Sequence, residues 1–136
     1  MLTRALLFLA VPCAIAVTAA VANPGPSVAG GRSIYLTGRD SAGKHITAVP
    51  RPLYPTCAAC HRSNGAGGVH LPGGAVSADL RHPSLLKMKY TPALLERAIS
   101  RGLDSDGKPL DRVMPRWRMS KTDLHDVANY VWTQLR

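Results

Sequence analysis

Cys57-Ala58-Ala59-Cys60-His61 decides how the rest of this chain is read. Two thiols three positions apart on a helical turn can each add to one vinyl group of a haem. The histidine that follows then lies where its imidazole can bind the iron. Ala58 and Ala59 are small enough to leave room for a porphyrin edge. Three other readings compete. A Cys57–Cys60 disulfide suits an exported protein. A thioredoxin-like redox pair shares the C-x-x-C spacing, but its βαβ surroundings are not evident here. A zinc site needs four ligands, and there is no second cysteine pair. Haem attachment through Cys57 and Cys60, with His61 on the iron, is favoured over all three.

A second iron ligand is expected downstream. Met114 stands in Asp111-Arg112-Val113-Met114-Pro115-Arg116-Trp117, and a thioether is a soft, neutral ligand that raises the potential. Pro115 restricts the backbone beside it. Met88, Met119, His45, His70, His82 and His125 are rivals. Met88, between Lys87 and Lys89, reads as a surface or rim residue, and Met119 as packing near the last helix. The four histidines read as solvated or hydrogen-bonded. Trp117 is either a donor to a haem propionate or a core tryptophan, and Arg116 either offsets propionate charge or, as the favoured reading, is a solvated arginine.

Two helices are well specified around this loop. Thr91 is an N-cap, Pro92 suits the first helical position, and Gly102 ends the helix; Leu94, Leu95, Ala98 and Ile99 share a face. Ser120 caps a second helix with Asp123 three residues on, and Leu124, Val127, Ala128, Val131 and Leu135 recur at helical spacing. A short helix is expected over 31–36. Residues 38–56 and 62–90 are rich in glycine and proline and read as loops, with a hairpin turning at Ser41-Ala42-Gly43. No useful strand pattern and no internal repeat is read. Loops this extensive in a small domain imply that they wrap something.

Residues 1–22 read as a targeting segment: Arg4, an apolar run Ala5–Val17, and Ala20-Val21-Ala22 before Asn23. Cleavage is expected rather than anchoring, with Cys13 an apolar residue of the discarded piece. That leaves 23–136 as one domain, exported to a periplasm, or membrane-associated if 1–22 is retained, with no integral span of its own. The whole chain carries a formal charge of +9. Its basic residues are scattered and no nucleic-acid motif accompanies them, so the surface either meets an acidic protein face or is simply solvated. The single Phe is Phe8, inside the targeting segment, so the domain must find bulk for its core elsewhere.

Together the motif, the Met114-Pro115 loop and the last helix resemble the class I cytochrome c family. Gly31 and Tyr35, four apart, are similar to the family's glycine–aromatic pair on the first helix, with Val127 and Tyr130 at the partner positions of the last. The resemblance implies an all-α domain of three to four helices around one covalent haem c, bound through Cys57 and Cys60 with His61 and Met114 as axial ligands. It implies a one-electron carrier rather than an enzyme, exchanging electrons with redox proteins as a monomer or as a subunit of a dehydrogenase or oxidase. A ligand-binding or peroxidatic haem protein is the less favoured alternative. In small family members the first-helix aromatic lies only a few residues before the first cysteine. Here Tyr35 and Cys57 stand 22 positions apart, so roughly 38–55 reads as an inserted loop.

Overall fold

The computed structural model describes residues 25–136, and the targeting segment expected at 1–22, with Cys13, lies outside the described residues. The chain enters through Ser27, whose Oγ accepts from the Gly30 N–H at 3.0 Å and so caps helix α1 (Val28–Thr37). The helix is longer than the 31–36 expected because this cap starts it a turn earlier. It lies against the terminal helix α5 (Lys121–Gln134), which Ser120 caps by accepting from the Asp123 N–H at 3.1 Å.

The two helices meet at Gly31, where a Cβ would collide with the Asp126 backbone carbonyl and with the Tyr130 side chain. Only glycine allows that approach, which lets Tyr35 pack on Tyr130 with ring centroids 5.6 Å apart. Two buried carboxylates of α5 hold the chain on either side of α1. Asp126 Oδ1 accepts from the Ser27 N–H at 2.7 Å, and Asp123 Oδ1 accepts from the Ser41 N–H at 3.0 Å.

Three further helices complete the layer around the middle. Helix α2 (Cys57–His61) is a turn and a half capped by Thr56. Helix α3 (His82–Lys87) docks on the end of α5, where Leu135 O accepts from the His82 N–H. Helix α4 (Pro92–Arg101) runs from a Thr91 cap to Gly102, as its sequence signals predict. Ile34, Leu85, Leu95, Trp117, Val127 and Val131 belong to one buried cluster.

Three expectations need correction. There are five helices among the described residues, not three to four, because α2 and α3 are too short to carry a periodic signal. A two-stranded antiparallel sheet is also present: β1 (Thr47–Val49) pairs with β2 (Arg116–Arg118), placing Ala48 opposite Trp117. Three residues cannot display an alternating pattern. The third correction concerns repetition. Gly38-Arg39-Asp40-Ser41-Ala42-Gly43-Lys44 and Gly102-Leu103-Asp104-Ser105-Asp106-Gly107-Lys108 share the pattern G-x-D-S-x-G-K. Each follows a helix, begins with a left-handed glycine, and closes the same hairpin. The carboxylates of Asp40 and Asp104 accept from the N–H groups two and four residues on, and Ile46 and Leu110 donate back to the carbonyls of Gly38 and Gly102. The first of these is the turn expected at 41–43. The inserted segment is therefore not a free loop. It is a hairpin followed by a strand that pairs beside the Met114 loop.

Candidate functional site

Helices α2, α3, α4 and α5 and the 110–117 segment line one cavity of about 720 Å³, the size range of small-molecule and cofactor sites. Its walls are mainly apolar, with Leu85, Leu95, Ile99, Val127 and Val131 from the helices. Protein interiors are close-packed and rarely keep voids larger than a water molecule. A hollow this large among core helices fits a bulky apolar group.

Cys57, Cys60 and His61 enter from α2. Thr56 Oγ1 accepts from the Ala59 N–H at 3.1 Å, holding the turn that sets the two sulfurs on one side. Both thiols are free. Desolvation pushes the Cys57 thiol up to about 12, with the Cys60 sulfur adding to the shift, and desolvation raises Cys60 as well. Thiol–disulfide enzymes use the opposite arrangement, a thiolate stabilised well below its ordinary value. The pair is thus unlike a dithiol redox centre. Among the described residues no group of three or more His, Cys, Asp or Glu is placed to hold a metal ion, which leaves the zinc reading without ligands.

His61 is 9% exposed, and its Nδ1 lies 2.9 Å from the Ala78 carbonyl oxygen. A carbonyl only accepts, so Nδ1 carries the proton and Nε2 keeps its lone pair. Burial lowers the imidazole's pKa, opposed in part by the Ala78 bond, so the ring is neutral. That is the protonation state and tautomer a metal ligand requires. The loop after α2 delivers that carbonyl. Gly67 sits at φ 61°, with Ala78 packed where a Cβ would be. Tyr35 Oη donates to the Arg62 carbonyl at 2.7 Å, tying α1 to the residue after His61.

Met114 lies half-buried in the cavity wall on the loop before β2. Its N–H donates to the Asp111 carbonyl at 3.1 Å, and Asp111 Oδ1 accepts from the Val113 N–H. Trp117, 4% exposed, lines the same cavity and belongs to the core cluster.

Among the rivals, Met88 is on the cavity rim and 37% exposed, and Met119 packs against the core outside this cavity. His82 Nδ1 donates to the Trp132 carbonyl and His125 Nδ1 faces Glu96 Oε1 at 2.7 Å, while His45 and His70 are exposed. His61 is the one histidine in the cavity wall. The structure therefore brings all five expected site residues, Cys57, Cys60, His61, Met114 and Trp117, to one cavity.

Sequence reasoning missed two participants. Ala78 acts through its carbonyl, and no side-chain signal could reveal it. Arg116 was read as solvated, yet it is half-buried with its guanidinium turned onto backbone carbonyls of the Met114 loop. The proline and aspartates around it were the available hint that this loop is ordered.

The residues fit a haem c. Two free thiols, a neutral imidazole with its outer nitrogen unprotonated, and a thioether all border a large apolar cavity. A family model described as Cytochrome c matches residues 42–134. No curated protein and no solved structure matches the chain. Helix α1 precedes the matched residues, so its seat on α5 is known from the structure alone. The match spans more than half of the sequence and includes the cysteine–histidine motif, Met114 and both well-signalled helices. The chain belongs to the cytochrome c family, whose haem c is attached covalently through a motif that Cys57 and Cys60 fit.

Proposed function

We propose that this protein is an exported one-electron carrier in which His61 and Met114 are the two axial ligands of the haem iron. The observation that carries the proposal is the meeting of both thiols, the His61 imidazole and the Met114 thioether in one apolar cavity. Haem c supplies the Fe(III)/Fe(II) couple when bound. Cys57 and Cys60 hold its two vinyl carbons as thioethers. His61 gives its Nε2 lone pair, kept in that role by the Nδ1–H bond to Ala78. Met114 would supply the second ligand and so leave the iron without an open position, which favours outer-sphere electron transfer over catalysis. Trp117 offers its indole N–H to a propionate.

Electrons pass at the rim. There Leu53 is 76% and Tyr54 51% exposed, close beside the cysteines. The rim mixes Arg51, Lys87, Lys89 and Arg112 with Asp104, Asp106 and Asp111. Steering of an acidic redox partner therefore comes from the charge of the whole molecule, +9 for the full chain and +8 once Arg4 leaves with residues 1–22, and close docking from the apolar rim. Among the described residues no helix is long and apolar enough to cross a membrane. A role as the carrier subunit of a larger oxidoreductase uses the same chemistry.

Absorption spectra of the purified holoprotein, oxidised and reduced, with and without carbon monoxide, test the ligation. Low-spin spectra that ignore carbon monoxide are expected. A high-spin or carbon monoxide-binding haem would remove Met114 as a ligand and make a ligand-binding haem protein the better reading.

A further inference from the structure

Arg116 makes an arrangement that charge pairing does not explain. Its guanidinium donates to four main-chain carbonyls: Gly102 at 3.4 Å and Leu110 at 3.0 Å through Nη2, and Asp111 at 3.2 Å and Met114 through Nη1. Among the described residues the ion pairs are Arg81–Asp79 and His125–Glu96, so no carboxylate shares this cation. The head group lies where a Cβ on Gly102 would be, at the end of α4. Its own backbone belongs to β2, and it stands opposite Val49 of β1. One planar five-donor group thus joins the end of α4 to both ends of the loop that carries Met114. The inserted segment, through β1, backs the strand from which it reaches.

We propose that Arg116 is the positioning residue for Met114, reaching to its loop from a strand that β1 backs. The proposal rests on the reading of Met114 as an axial ligand. The Met114 carbonyl is one residue's backbone away from its own thioether, so fixing that carbonyl limits where the sulfur can go. Hydrogen bonds from a charged donor are the stronger kind, and losing several at once loosens the loop rather than unfolding the domain. Lysine keeps the charge but is a compact ammonium that cannot span four carbonyls.

The test compares holoprotein of wild type, Met114→Ala, Arg116→Gln, Arg116→Lys and Arg118→Gln. All are made in a Met88→Ala background, since Met88 is the other thioether in the cavity wall. Carbon monoxide binding to the reduced protein and imidazole binding to the oxidised protein are measured alongside thermal unfolding and haem-to-protein ratio. The expected result is a parent that resists both ligands and a Met114→Ala variant that binds both. Arg116→Gln should bind imidazole about tenfold or more faster than the parent. Arg116→Lys should fall between, and Arg118→Gln, exposed on the same strand, should match the parent. If the parent itself takes up carbon monoxide, or Met114→Ala behaves like it, the axial reading fails and this inference with it. If those two behave as expected but Arg116→Gln matches Arg118→Gln in ligand binding, the axial reading stands and Arg116 has no positioning role.

Discussion

The atoms of single residues explain why this cavity can ligate a metal at all. His61 is made fit for ligation by a backbone carbonyl seventeen residues away, which accepts the Nδ1 proton and leaves Nε2 bare. Gly31 acts by absence: the α5 backbone occupies the space its side chain would need. Gly31→Ala must push α1 away from α5 or strain both, and overpacking of this kind costs about 1–3 kcal/mol. Chemical denaturation of holoprotein should show a loss within that range; an unchanged midpoint would mean that α1 is not held by this contact. The residues that chemistry singles out by type were legible in the sequence, because Cys57, Cys60, His61 and Met114 declare themselves by side chain and spacing. Those acting through main chain or through length were not. Ala78 contributes only a carbonyl, and Arg116 resembles any surface arginine until the chain folds back beneath it.

At the scale of elements, legibility followed length and capping. Helices α4 and α5 carry side-chain N-caps and a repeating apolar face, with a terminating Gly102 on α4, and they formed where those signals placed them. Helix α2 and the strands β1 and β2 are too short for periodicity; a local cap by Thr56 defines the helix, and pairing across the chain defines the strands. The twin G-x-D-S-x-G-K hairpins went unread because two short segments 64 positions apart do not stand out until their hydrogen bonds coincide. The start of α5 offers a test by acid. Burial works to raise the Asp123 carboxyl, but the Ser120 hydroxyl and the Ser41 N–H more than offset it, so its folded pKa lies below the ordinary value. The unfolded chain, with an ordinary Asp near ~3.9, takes up this proton first. The stabilisation is therefore complete above ~3.9 and is lost as pH falls through the lower folded value. Asp123→Asn should remove that part of the acid dependence and flatten the stability curve below pH ~4. Asp79, held low by Arg81, keeps a residual slope in both proteins. Equal slopes for variant and parent would mean that Asp123 contributes nothing ionic to the junction of α5 with the 38–46 hairpin.

For the whole molecule, the decisive quantity is what fills the middle. The sequence holds one Phe, at position 8, outside the described residues, and the core is built from aliphatics, Tyr35, Tyr130 and Trp117 around the cavity. Cavity creation costs about 24 cal/mol per Å³ where the walls do not relax. At that rate a hollow of about 720 Å³ would cost on the order of 17 kcal/mol. The figure is an upper limit, because this cavity opens at the rim and its walls can close in. Even so, it exceeds the ~5–15 kcal/mol by which domains are ordinarily stable. A hollow of this size without its haem favours inward collapse, at the expense of the packing of α2, α3 and the Met114 loop. Helices α1 and α5 stand differently, since Gly31, Tyr35, Asp126 and Tyr130 meet each other directly. A Cys57→Ser, Cys60→Ser variant, which cannot attach haem, should accordingly keep part of its helix signal but lose near-ultraviolet aromatic order. It should also unfold over a broad temperature range without a cooperative step. Circular dichroism in both spectral regions through a thermal scan reads this directly. A sharp transition with intact aromatic signals would mean that the polypeptide builds its own core, and that the cofactor occupies a preformed pocket rather than completing the fold.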